Sequence, residues 1–159
     1  MTPEAGVFGK TPETGDFVTR HLDRATRQAL DRWLTAHLAP LPPPWPEGGV
    51  RGLIDLNQKL YLLTAVPSRD SARRRFPLAA ITPGAGVSLE AAETWCNAVA
   101  EALLQAAAGE LSVDDLLRAL NEVVMDDRMA EDGYPALWTV GNDPVPCDAE
   151  GLASLFSSD

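Results

Sequence analysis

Gly9, Lys10 and Thr11 are the residues that end a phosphate-binding loop, and here they lie in GVFGKTPETGDF near the start of the chain. Such a loop needs a glycine five positions before the Gly-Lys pair, so that backbone N–H groups can wrap the phosphates. That position is Glu4, whose carboxylate would repel phosphate and whose Cβ would restrict the bend. A helix should also begin directly after the lysine, but Pro12, Gly15 and Asp16 read as a turn. The Gly-Lys-Thr run is therefore not read as a nucleotide site. Asp16, His21, His37 and Asp70 are the remaining candidate acids and bases, with Ser68 as a candidate nucleophile. Nothing near them in sequence supplies the orienting partner that nucleophilic catalysis requires. The histidines stand 16 positions apart, and Asp126 and Asp127 point in successive directions on a helix, so neither pair makes a metal-ligand pattern. No catalytic residue, metal or cofactor is expected. The basic run Arg69, Arg73, Arg74 and Arg75 leaves two readings open: a solvated loop with one or two arginines paired to acids, or a holder of phosphate through forked guanidinium contacts.

The elements that must position these groups follow from periodicity. Val7-Phe8 reads as a brief strand. Apolar residues from Leu22 to Leu38 recur at helical spacing, with Asp23 at the positive helix end. Prolines 40, 42, 43, 44 and 46 stop that helix and form a connection. RGLIDLNQ (51–58), LYLLTAV (60–66) and FPLAAIT (76–82) read as strands, the second as one covered on both faces. Ser88 and Gly109 bracket a long helix, Ser112 caps another, ALWTV (136–140) is a last strand, and 148–156 a last helix. The elements predict an α/β fold with a mixed sheet of about four or five strands, covered by helices on both sides.

The chain has 159 residues, 45% of them hydrophobic and 23% charged, which fits one globular domain over 1–159. The net charge of −10 is uneven. Residues 1–109 hold 11 acids and 11 bases, whereas 110–159 hold 12 acids against Arg118 and Arg128. An acidic third of this kind argues against nucleic-acid binding. No apolar run approaches the ~18 residues of a membrane span, and no basic-then-apolar leader opens the chain, so no membrane insertion is expected. Two cysteines, Cys96 and Cys147, read as reduced thiols of a cytoplasmic protein.

Two longer segments carry a family resemblance. GVFGKTPETGDFVTRHL resembles the N-terminal signature of TagF proteins, accessory regulators of bacterial type VI secretion. PSRDSARRRFPLAAI is similar to the second TagF signature, Pro-Ser-x-Asp-x-x-Gly-Arg-x-Phe-Pro-Leu, with Arg73 in place of the usual glycine. Trp33-Leu34, Trp95 and Leu137-Trp138-x-x-Gly141 fall in the family's order, so the resemblance spans about residues 6–141. It implies a three-layer α/β/α sandwich and a cytoplasmic regulator rather than an enzyme. That regulator would repress secretion after translation by binding a scaffold such as an Fha-type, forkhead-associated protein, with or without threonine phosphorylation. The alternatives are a small enzyme acting on phosphorylated groups and a structural subunit of the apparatus. The expected partner surface is Lys10, Asp16, Arg20, Asp70 and Arg74, with Gly9, Pro12, Gly15, Phe76 and Pro77 shaping its loops. The 9–20 and 67–76 loops are expected to meet, pairing Asp16 or Asp70 with Arg20 or Arg74. The chain is short for the family around residues 40–49 and after 141. Oligomeric state is left open.

Overall fold

The computed structural model describes residues 5–123 and 134–156; Glu4 and the Asp126-Asp127 pair lie outside them. Its elements run β1 (Gly6–Gly9), β2 (Val18–Arg20), α1 (Arg24–His37), β3 (Val50–Leu56), β4 (Lys59–Val66), β5 (Leu78–Pro83), α2 (Leu89–Ala107), α3 (Val113–Asn121), β6 (Ala136–Trp138), β7 (Val145–Pro146) and α4 (Ala149–Phe156). The described strands form one sheet in the order β2-β1-β5-β4-β3-β6-β7. Every neighbouring pair in it is antiparallel.

Side-chain alternation explains how that sheet is buried on two faces. Val7, Leu53, Leu62, Val66, Leu78, Ala80 and Trp138 face the cluster built on α2 and α3. Their sequence neighbours Phe8, Ile54, Leu63, Ala65, Ala79, Ile81 and Leu137 face the cluster built on α1 and α4. Leu30, Leu34, Leu62, Leu63, Leu78 and Leu103 are completely buried, and each such side chain contributes about 1.5–3 kcal/mol relative to exposure. The helices start where the sequence places their caps. Asp23, Ser88 and Ser112 each accept an N–H three residues on, at Thr26, Ala91 and Asp115. Gly109, just past the end of α2, takes the left-handed conformation at φ 79°.

The expected α/β sandwich with a mixed sheet of about four or five strands is corrected: among the described residues the sheet is antiparallel with seven strands, accompanied by four helices. Two strands went unrecognised because β2 has three residues and β7 two, too few to show a period. The direction error has a separate cause. Helices between strands suggest parallel crossovers, but here β1 folds back on β2, and β3 on β4 through Asn57 and Gln58, both at positive φ. After α2 and α3 the chain returns as β6 to the free edge of β3, running antiparallel.

Cys96 lies in the core under α2, where its thiol contacts the Leu63 carbonyl at 3.8 Å. Burial pushes this thiol up to about 12, whereas Cys147 is only half-buried and its thiol is raised less far, again chiefly by burial. Thiol labelling at pH 8 therefore modifies Cys147 in the folded chain, with Cys96 reacting at least ~100-fold more slowly and released on unfolding. Equal rates for the two under native conditions would contradict this packing.

Candidate functional site

Hairpin connections β1–β2 and β4–β5 lie at the same end of the sheet, because β1 and β4 both flank β5 antiparallel. The two signature loops thus meet although nearly sixty residues separate them. Ser71 donates its N–H to the Thr14 carbonyl at 2.7 Å, and Ser68 Oγ donates to the Lys10 carbonyl at 2.6 Å. Gly9 makes the approach possible: at φ 143° it sits so close to the Pro77 carbonyl that a Cβ would fall 2.1 Å from that oxygen. Gly15 comes next to Ser71, with an added Cβ 3.3 Å from its Oγ. Pro12 is half-buried in the same loop.

At the junction sits Asp70, with its side chain fully withdrawn from solvent. A carboxylate there needs donors to replace water. Its Oδ1 accepts the N–H groups of Ala72 and Arg74, each at 2.9 Å. Its Oδ2 receives Arg74 Nε at 2.8 Å and Lys10 Nζ at 3.1 Å. Arg74 then reaches across to the Gly15 carbonyl, Nη2 to O 2.9 Å. Burial by itself raises the Asp70 pKa, but the Arg74 N–H, the Lys10 ammonium and the Ala72 N–H outweigh it and hold the group at about 2. Lys10 also stands 4.9 Å from the centroid of the Phe17 ring. That ring stacks on Phe8 at 5.3 Å and meets the edge of Phe76 at 4.9 Å, forming a three-ring cluster beneath the loops.

Of the residues expected to form the surface, Lys10, Asp70 and Arg74 are brought together, and Asp16 and Arg20 stay apart from them. Asp16 is exposed and accepts the N–H of Phe17, while Arg20 is exposed and donates to the Thr19 carbonyl. The pairing seen is Asp70 with Arg74 and Lys10. Ser68 spends its hydroxyl on a backbone carbonyl, and His37 packs against Trp33 at the last turn of α1. Among the described residues no three His, Cys, Asp or Glu side chains gather as metal ligands do. Three contributors escaped the sequence reading. The Phe8–Phe17–Phe76 cluster could have been found from an aromatic at each flank of the signature loops. Glu13 accepts the Val113 N–H at the start of α3 at 3.3 Å, a long-range contact with no local signal. Arg51, 2% exposed, looked like an ordinary strand residue, but its guanidinium joins Gly48 to α2 through the Gly48 carbonyl at 3.1 Å and Asn97 Oδ1 at 2.8 Å.

The depressed pKa of Asp70 gives stability that is complete above its ordinary value of 3.8 and is lost as pH falls through about 2. Asp70→Asn leaves Lys10 and Arg74 without their counter-charge. Its expected Tm drop is at least about 5 °C at pH 7 and shrinks toward zero by pH 2, read by thermal melts of both proteins. A variant as stable as the parent at pH 7 would remove the carboxylate from this role. Arg73 occupies the position where the signature has glycine, and its φ of 66° is left-handed, a conformation costly for a side-chain-bearing residue. Arg73→Gly relieves that cost and, after the extra unfolded-state entropy of glycine, is expected to stabilise by about 0.5–1 kcal/mol in urea unfolding.

Among solved structures, the crystal structure of PA0076 from Pseudomonas aeruginosa PAO1 is similar in fold, with TM-score 0.63 and 21% sequence identity. The similarity covers 95% of this chain and 76% of that one. No curated protein matches the chain. Residues 6–123, which include both loops and the whole Asp70 cluster, match the TagF N-terminal domain, described as type VI secretion system-associated. The chain belongs to the TagF N-terminal domain family of type VI secretion-associated proteins.

Proposed function

We propose that this protein is a cytoplasmic regulator of type VI secretion that acts by binding rather than by catalysis, repressing the apparatus after translation through contact with a component such as a forkhead-associated scaffold. The observation that carries this reading is the joining of the family's two signature loops into one surface locked from below by Asp70. A surface pre-organised in this way loses little conformational entropy when a partner docks. The buried Asp70 and half-committed Arg74 serve as its frame, and the exposed Asp16, Phe17 and Arg20 are free to touch a partner. Ser68 has its hydroxyl engaged with a carbonyl, which favours a binding role for the second loop over nucleophilic chemistry. Among the described residues, no helix is long and apolar enough to cross a membrane.

The test is affinity capture from the native host with the tagged parent beside Asp16→Lys and Arg20→Glu, whose side chains lie outside the Asp70 cluster. The parent is expected to recover type VI secretion components, and each variant at least about fivefold less while melting at the parent's temperature. A parent that recovers no secretion component would overturn the reading, and undiminished recovery by both variants would move the contact surface elsewhere.

A further inference from the structure

Four arginines and one aspartate occupy residues 69–75, a local excess of positive charge on a chain of net charge −10. Only Arg74 is used by the fold. Arg69, Arg73 and Arg75 are exposed, and none of them forms an ion pair with a described carboxylate. Arg69 and Arg75 face one another across an isolated antiparallel bridge. The flanking hydrogen bonds, Asp70 N–H to the Arg74 carbonyl at 3.0 Å and Phe76 N–H to the Ser68 carbonyl at 3.1 Å, make them a non-hydrogen-bonded pair. In such a pair the side chains leave the same face of the ladder at their closest cross-strand approach, and like charges there are destabilising. The hairpin is also rigid, since Asp70 and Arg74 clamp its tip, so the two guanidinium groups have little backbone freedom to separate. Arg75 further lines a cleft with Leu41, Pro43 and Trp45, which gives that member of the pair an apolar flank.

We propose that Arg69 and Arg75 form a docking site for a short acidic segment of a partner protein, two neighbouring carboxylates of which neutralise the opposed guanidiniums. Forked guanidinium–carboxylate contacts suit that pairing. Charge decides between partners. An anionic membrane or a nucleic acid presents a wide negative surface that would repel the acidic remainder of the chain, whereas a short segment meets only the hairpin. This assignment rests on the regulatory reading above for its biological setting and names the chemistry of the partner that reading requires.

The experiment uses the full chain and a fluorescein-labelled peptide, Gly-Ser-Glu-Glu-Leu-Asp-Glu-Gly-Ser, in fluorescence polarisation at 50 and 200 mM NaCl. Expected are saturable binding that weakens about tenfold or more at the higher salt, and a loss of at least about tenfold in R69Q/R75Q. Because that variant removes a like-charge pair, its Tm is expected to equal or exceed the parent's, so lost binding is not mistaken for unfolding. A peptide with Gln and Asn in place of Glu and Asp should not bind. The assignment is overturned if the acidic peptide fails to bind, if R69Q/R75Q binds it as well as the parent does, or if the Gln/Asn peptide binds equally. It is also overturned if vesicles of 30% phosphatidylserine retain the parent while the peptide does not, which would make the face a membrane contact, or if 10 mM inorganic phosphate abolishes peptide binding, which would make it a phosphate site. Failure here is separable from failure of the regulatory reading. Secretion components recovered equally by the parent and by R69Q/R75Q would leave regulation standing without this site, whereas peptide binding by a parent that captures no secretion component would do the reverse.

Discussion

A carboxylate taken out of water must be resolvated by the protein that buries it, and Asp70 imposes that demand on both signature loops. Meeting it consumes two N–H groups of its own turn, one guanidinium and one ammonium from a strand end sixty residues earlier. The backbone donors dictate a tight turn from 70 to 74, and the turn dictates a left-handed residue at 73. Lys10 is drawn inward and placed over Phe17, which settles the ring on Phe8 and closes the first loop over the second. One buried charge thereby sets the shape of two loops, and it is satisfied by backbone as much as by opposite charge. The pairing is consequently a matter of conformation as well as of electrostatics.

That arrangement depends on strand order. With β5 between β1 and β4, two hairpin turns must share an end of the sheet, and the proline-rich connection into β3 arrives at the same end. Arg51 secures this third connection by tying Gly48 to α2, through neutral acceptors in place of a carboxylate. The two long helical layers lie to either side and do not compete for the loops. Their tasks are to cover the alternating faces of the sheet and to keep the strand ends rigid.

Helices and long strands were legible because their signals are local. Asp23, Ser88 and Ser112 announce helix starts whatever surrounds them, and the apolar runs of β3 to β5 exceed anything a loop would carry. Sheet direction was not legible, since antiparallel and parallel partners share the same side-chain alternation and differ in long-range register. β2 and β7 exist because a neighbour's edge offers hydrogen bonds, with little propensity of their own. At the site, resemblance to the signatures brought forward Lys10, Asp16, Arg20, Asp70 and Arg74 together, without separating the three that cluster from the two that do not. The difference between the two groups is contact at the buried Asp70 carboxylate, which no spacing in the chain displays.

The late return of the chain to β3 has a consequence for synthesis. Arg51 and Trp138, opposite one another in the finished sheet, are about 87 residues apart in sequence. During translation β3, β4 and β5 can pair as a meander long before β6 leaves the ribosome, so the β3 edge remains open through the making of α2 and α3. Gly52, whose Cβ would fall 2.8 Å from the Ala136 carbonyl, keeps that edge bare enough for the last strand to settle. A fragment ending at residue 123 would hold the full family match and both loops, yet carry an unpaired strand edge of the sort that recruits other chains. β6 therefore covers that edge against other chains as well as adding Leu137 and Trp138 to the core.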